Sequence, residues 1–595
     1  MSQSKYVSAL KALPVGRVLL ACLGVFVVIA GYLFVPSDLA ERAVRFGAYW
    51  PILLAFIGFF ACACCLIRSE QVRLSKLASK LGLGFAICFL LCVGLSFVHV
   101  ELGPKILMDD AILESTAKSL HQSREVYTST FGRWVANDFT IFDGYVDKRP
   151  LLYPFAVSLL HDLSGYRSSN PYIVNVISGV CLLFALSLLG YFLNGRKGAY
   201  LMLLLWVSLP LLSQNASGSG MDLINLLFLV GVILLSILYW KRLDAVSESA
   251  LALAGVLLAQ GRYESPLFLL PIAGIIVFGW IRKGAVILSA GTICAAPLLF
   301  GLALQNKFFS QSEALWELHS GAQTPFAFEN LADNFSRALS FYFNTSDAYA
   351  NSLWIALLGF PAVVFLVLYF VRGWRAIYTE KPAQSIFGLF SLFLFAHILV
   401  ILCYHDGQLN RLFASRFALP SYLLLTSAIV IVLGAFTRSQ KVWGGFAACT
   451  LVFIVGYTLP MNAKGVFTQR NYVANEIEWM QSVADEQFEE RSLVVDTYTI
   501  PWTLRQTASL SPLQAFSNAV RLYDDFASGK YTSIYLIERN EYSIVENKVQ
   551  RHDSLYPVGV FAVELLAQRS FEPYKQTSIY RVTGIDRSAA EQLLK

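Results

Sequence analysis

Asp109 and Asp110 are the residues of this chain whose type and spacing best suit them to chemistry. A positioned carboxylate takes a proton from an attacking hydroxyl and typically contributes about 10²–10⁴-fold as a general base. Paired carboxylates also hold Mg²⁺ or Mn²⁺. Ala111 to Leu120, just after the pair, has helical spacing, with Ile112, Leu113, Thr116 and Leu120 near one face. Capping that helix is therefore the competing role for one of the two aspartates. The same polar stretch ends on Lys148, Arg149 and Pro150, an apolar run through Tyr153, then His161 and Asp162. That run is too short to cross a bilayer but has the aromatic content of a helix lying in the membrane interface, with Pro150 in its first turn. Two cations there would sit at phosphate-headgroup depth, either as an anchor or as a clamp for a lipid-borne phosphate.

The elements that must position these groups are membrane helices. Of 595 residues, 56% are hydrophobic and 14% charged, where a soluble globular protein carries about 25% charged residues. The net charge of +6 speaks to loop orientation rather than to nucleic acid. All ten cysteines lie in apolar segments, so no disulfide framework is expected in the exposed parts. Cys62, Cys64 and Cys65 are close but have no histidine beside them and read as packing.

Apolar runs predict thirteen spans: roughly 18–35, 49–67, 81–98, 171–193, 198–212, 222–240, 250–260, 265–281, 284–303, 351–371, 385–404, 417–436 and 443–459. The run 250–260 is short enough for a half-helix. The basic loops RSEQVRLSK (68–76), NGRKG (194–198), KRLD (241–244), RK (282–283), RGWRA (372–376) and RSQK (438–441) alternate with loops poor in Lys and Arg. The positive-inside rule then puts the N-terminus in the cytoplasm and the C-terminus outside, in an inner, multi-pass membrane location. Outer loops follow at 99–170 and 304–350, the second bearing Trp316, His319, Phe326 and Tyr342. The expected organisation is two N-terminal helices (1–80), a catalytic membrane module (81–460) and an outer α/β domain (461–595), the last read from alternating helix-like and strand-like runs. Asn215 and Asn344 open N-x-S/T patterns, which also arise by chance.

The acidic pair in the first large outer loop, K-R-P-L-L-Y-P-F (148–155), and a span opening near Tyr172 together resemble the GT-C superfamily of membrane glycosyltransferases. They are similar in particular to bacterial relatives of the protein O-mannosyltransferases and of the lipid A aminoarabinose transferase. S-G-S-G-M-D (217–222), A-Q-G-R-Y-E-S-P (259–266) and F-A-S-R-F-A-L-P (413–420) follow in the superfamily's order, with R-Y-E for its more usual basic turn and Phe417 for tyrosine. The likeness covers about 80–460 and departs in having two spans before the one leading into the acidic loop.

The resemblance implies a sugar donor on a polyprenyl phosphate and transfer with inversion to an acceptor outside the cytoplasm, a protein, glycolipid or polysaccharide. Asp109 or Asp110 is then the base. Lys148, Arg149, Arg262, Arg416 and His405 are donor-phosphate candidates, and Asp222, Glu264 and Tyr153 weaker substrate contacts. Each has a plainer role: headgroup snorkelling for Arg262 and Arg416, an Arg262–Glu264 ion pair, a span cap for His405, a helix cap for Asp222. No convincing metal-ligand set accompanies the aspartates, so no cofactor or obligatory metal is expected. A transporter or flippase of lipid-linked glycans is the rival reading. It predicts charges at mid-membrane and internal repeats, whereas the charges here gather at span ends.

Overall fold

In a computed structural model the described residues are 14–593, apart from 98, 107, 136–137, 311–323, 347, 466–470, 546–547, 552–558 and 573–574. Trp316 and His319 lie outside them. The chain is a polytopic α-helical membrane protein with a C-terminal α/β region. It divides into two compact units, residues 1–105 with 148–467, and residues 106–147 with 468–595. The first outer loop thus does not belong wholly to an 81–460 module: its middle, 106–147, groups with the C-terminal residues.

The membrane unit has eleven helical segments long and apolar enough to cross a bilayer, among the described residues, from Val15–Phe34 to Gln440–Ala463. The count differs from the expected thirteen at two places. The runs 171–193 and 198–212 are two helices as expected, counted together as Asn170–Val207 because they follow each other directly, with the chain breaking at Asn194 and Gly195. Gly195 has φ +60°, which glycine adopts without strain. On either side of the break Gly190 and Gly198 approach so closely that a Cβ on one would meet the other's backbone carbonyl. The run 250–260 becomes Ala245–Ala259, fifteen residues, about 22 Å at 1.5 Å per residue and short of a core about 30 Å thick. Its Glu248 is fully buried, yet accepts from Trp280 Nε1 (2.7 Å), Thr292 Oγ1 (2.8 Å) and the Ser289 N–H (2.8 Å). A carboxylate so satisfied ties neighbouring helices together without a substrate.

The segment expected to lie in the interface is the helix Leu152–Ser164, and most of its length is buried in protein. Phe155 packs against Tyr49 and Phe56 at 5.6 and 5.5 Å between ring centres. Its apolar and aromatic residues cover a helix of the same unit, which a length-and-composition argument cannot distinguish from covering lipid.

In the other unit, the expected helix after the acidic pair spans Asp109–Gln122 and buries Ile112, Leu113, Thr116 and Leu120. A two-stranded antiparallel ribbon follows, β1 (Thr128–Val135) and β2 (Asp138–Tyr145). The C-terminal strands are β3 (Leu493–Val495), β4 (Ala508–Leu510), β5 (Ile534–Val545), β6 (Lys548–Arg551), β7 (Phe561–Glu572) and β8 (Lys575–Ile585). They order as β4-β3-β5-β8-β7, with β6 pairing β5. Pairs β4–β3 and β3–β5 are parallel, the others antiparallel. Three bonds explain why 106–147 joins this unit: Lys118 Nζ donates to the Leu504 carbonyl (3.1 Å), Trp134 Nε1 to Gln506 (3.0 Å), and Thr503 Oγ1 to Ser129 (3.1 Å). Under the sheet, buried Glu476 and Asp496 engage Arg539, and Lys575 reaches Glu476 at 3.0 Å. Burial alone would lower the bases Arg539 and Lys575. Asp496 and Glu476 outweigh it at Arg539, and Glu476 foremost at Lys575, so both stand above their ordinary values.

Candidate functional site

Five ionisable side chains from four places in the chain converge in the membrane unit. Asp222 is the first residue of the helix Asp222–Arg242, where a carboxylate meets the positive end of the helix dipole. Arg262 and Glu264 occupy the turn between Ala245–Ala259 and the 3₁₀ turn Ser265–Phe268. His397 comes from the span Pro382–Cys403. Arg416 sits in the 3₁₀ turn Ala414–Ala418 that opens Leu419–Phe436. Their side chains are 2% to 7% exposed, so every charge among them must be answered from within the protein.

Arg262 is gripped from two sides. Its Nη1 donates to Asp222, and its Nε donates to Glu264 Oε1 at 2.5 Å. Glu264 Oε1 also faces His397 Nε2 at 3.2 Å. Arg416 stands further off, with Nε 3.7 Å from Asp222 Oδ2. Both guanidinium groups lie over the Phe417 ring, at 4.8 Å for Arg262 and 5.3 Å for Arg416. Two cations thus share one aromatic ring and one carboxylate. Arg262 is a fixed strut between two carboxylates, while Arg416 faces Asp222 at the longer distance.

Local backbone geometry makes this arrangement possible. The loop S-G-S-G-M-D leading to Asp222 is pinned by Asn175, whose Nδ2 donates to the carbonyls of Gly218 and Gly220 at 2.8 Å each. Beside Arg262, a Cβ on Gly261 would collide with Asn225 Oδ1, the atom that accepts from Ser265 Oγ at 2.7 Å. Asn175, Asn225 and His397 are contributions that sequence reasoning missed. His397 had one available signal, being an ionisable residue inside a hydrophobic span.

The other expected residues are placed as follows. His405 is buried, with Nδ1 3.8 Å from Asp406 Oδ2 and its ring edge-on to Tyr404 at 4.6 Å. Lys148 and Arg149 are half-buried, and the Arg149 carbonyl accepts from Gln305 Nε2 at 3.1 Å. Tyr153 is buried and donates to the Pro171 carbonyl at 2.8 Å. Asn215 is buried too, with Nδ2 bonded to the Leu211 carbonyl at 2.7 Å, a poor place to receive a glycan. Asp109 and Asp110 belong to the other unit. Asp110 is buried, and its Oδ2 accepts from the Ile106 N–H at 2.7 Å, closing the turn before the helix. Asp109 is half-exposed. The two aspartates are therefore unequal: Asp110 does local structural duty, and Asp109 has the access to solvent.

No protein-family model and no curated protein matches the chain. In structure it is similar to ArnT from Cupriavidus metallidurans bound to undecaprenyl phosphate, at 11% identity and TM-score 0.47 over 84% of this chain and 98% of that one. It is also similar to the oligosaccharyltransferase of Archaeoglobus fulgidus in the apo form, at 10% identity and TM-score 0.42 over 80% of this chain and 74% of that one. A third likeness is to arabinosyltransferase EmbB from Mycobacterium smegmatis, at 11% identity and TM-score 0.31, over 84% of this chain and 63% of that one. All three are GT-C glycosyltransferases, the superfamily whose motif order this sequence resembles. With identities near a tenth, what the chain does has to be read from its own residues.

Proposed function

We propose that the chain transfers a sugar from a polyprenyl-phosphate donor to a hydroxyl of an acceptor outside the cytoplasm, with inversion at the anomeric carbon. The observation that most supports this is Arg416: a buried guanidinium at the opening of a span, 3.7 Å from its carboxylate and stacked on Phe417. A buried guanidinium carries five N–H donors, so beside its carboxylate it can still meet an incoming phosphate oxygen. Arg262, gripped by both Asp222 and Glu264, instead keeps Asp222 oriented toward Arg416.

In the proposed step the acceptor oxygen attacks the anomeric carbon while the bond from that carbon to the phosphate oxygen breaks. The bonding electrons leave with the polyprenyl phosphate, and the acceptor's proton passes to an aspartate. Charge growing on the leaving phosphate calls for a cation already in place in a dry site, the role given to Arg416, with Lys148 and Arg149 holding the headgroup. Asp109 is the preferred base because Asp110 is committed to the Ile106 N–H. The order of motifs from the acidic pair to F-A-S-R-F-A-L-P supports the same reading.

The test is transfer from a labelled polyprenyl-phosphate sugar in membranes containing matched amounts of each variant. Asp109→Asn is expected to lose about 10²-fold or more in turnover. Arg416→Gln is expected to impair use of the donor. Wild-type turnover in both Asp109→Asn and Asp110→Asn would remove the base, and undiminished donor use in Arg416→Gln would remove the phosphate role.

A further inference from the structure

A second cavity, of about 490 Å³, opens among the stretch Tyr49–Phe97, the helix Asn170–Val207 and the helix Asp222–Arg242. It shares no residue with the ion network around Arg262. Its walls are apolar, built from side chains such as Leu188, Phe192 and Leu235. Its rim carries Glu70, Arg73, Lys76, Lys80 and Lys241. Glu70 is already engaged, by Arg73 at 3.0 Å and by Arg242 at 2.6 Å. Among the described residues, Lys76, Lys80 and Lys241 make no ion pair, and Lys241 Nζ rests 4.6 Å from the Phe192 ring centre. An oily groove is thus edged by three ammonium groups that make no ion pair among the described residues, with Glu70, shared by Arg73 and Arg242, as the acidic residue of the rim.

Two physical requirements narrow the occupant. A free anion would satisfy the lysines and leave the apolar walls unused. A neutral lipid would cover the walls and leave the lysines unanswered. An amphiphile with apolar chains and an anionic head meets both, and basic pockets between membrane helices recognise such headgroups. Three of the rim cations belong to the 68–80 segment and one to the KRLD loop, the basic segments that the positive-inside rule assigns to the side facing anionic lipid.

We propose that this groove is a binding site for an anionic membrane phospholipid, its acyl chain along Leu188, Phe192 and Leu235 and its phosphate met by Lys76, Lys80 and Lys241. The site is separate from the one assigned to the sugar donor and does not depend on that assignment.

The experiment counts lipids retained by the full-length protein in native mass spectrometry, after delipidation in detergent and titration with phosphatidylglycerol or phosphatidylcholine of the same chains. Wild type is expected to retain phosphatidylglycerol in preference. The triple variant Lys76→Gln, Lys80→Gln and Lys241→Gln should lower that retention by about tenfold or more. Leu235→Trp, which fills the groove without touching its charge, should lower retention of both lipids. Arg438→Gln, in a different basic loop, should change nothing. Equal retention of the two lipids by wild type overturns the proposal. So does undiminished phosphatidylglycerol binding in the triple variant and in Leu235→Trp. A fall in Arg438→Gln as large as in the triple variant also overturns it, because the effect would then be diffuse surface charge.

Discussion

Arg262 and Arg416 are alike by type, by burial and by the R-x-x-x-P pattern that places Pro266 and Pro420 four residues on. Their partners separate them. Removing Arg262 leaves Asp222 and Glu264 buried without their main counter-charge, and breaking a buried pair in this way costs about 3–5 kcal/mol. Arg416 stands farther from Asp222, at 3.7 Å. Arg262→Ala is therefore expected to lose thermal stability and transfer activity together, whereas Arg416→Gln should lose activity with a smaller fall of its unfolding midpoint in detergent. Midpoints measured beside turnover check this, and an equal fall in both variants would make Arg416 a strut like Arg262. Most of this cluster was legible in the sequence, because Asp222, Arg262, Glu264 and Arg416 each stand at the polar opening of an apolar run. His397 was not, since it lies within a run that otherwise reads as lipid-facing. Nor was the inequality of Asp109 and Asp110, which turns on one bond to a backbone N–H four residues upstream.

Helices were legible wherever lipid dictates them, because a spanning segment must satisfy its own backbone hydrogen bonds and be apolar for its whole length. Hydropathy carries no information about what covers the face of such a segment. The break at Asn194 and Gly195 falls in the basic loop NGRKG between two apolar runs, whereas the burial of Leu152–Ser164 depends on packing between elements far apart in the chain. The approach of Gly190 to Gly198 is the sharpest such packing constraint, backbone against backbone, with no room for a methyl group. Gly190→Ala is expected to lower the unfolding midpoint in detergent by several degrees, because main chain cannot move aside as a flexible side chain does. Gly231 lies in the helix Asp222–Arg242 and has no atom within 4 Å of where its Cβ would be. Gly231→Ala should therefore be neutral or slightly stabilising, through helix propensity. Equal midpoints for the two variants would show that the hairpin tolerates wider spacing than the close approach implies.

For the whole molecule, a boundary drawn from composition divided the chain near 460, whereas residues 106–147 fold with 468–595. The bonds responsible join residues more than 370 positions apart, such as Trp134 with Gln506 and Thr503 with Ser129. No local pattern encodes such a pairing. Orientation, by contrast, rests on a signal spread along the whole sequence. Six short basic loops alternate with loops poor in Lys and Arg, and translocating any one of the basic loops is disfavoured. Each of the thirteen runs is largely helical, the short Ala245–Ala259 among them. If all thirteen cross, their odd number puts the termini on opposite sides. The ten native cysteines all lie in apolar segments, where a charged, membrane-impermeant maleimide does not reach. Single cysteines introduced into polar surface therefore report sidedness against a quiet background. Ser570→Cys, in β7 of the C-terminal unit, is expected to label in intact cells, and Ser439→Cys, in the loop RSQK, only after the membrane is permeabilised. Both positions are exposed, so access is governed by the bilayer rather than by packing. The reverse pattern would put the C-terminal unit and the acidic pair within it in the cytoplasm, and sugar transfer to an acceptor outside the cell membrane would have to be abandoned.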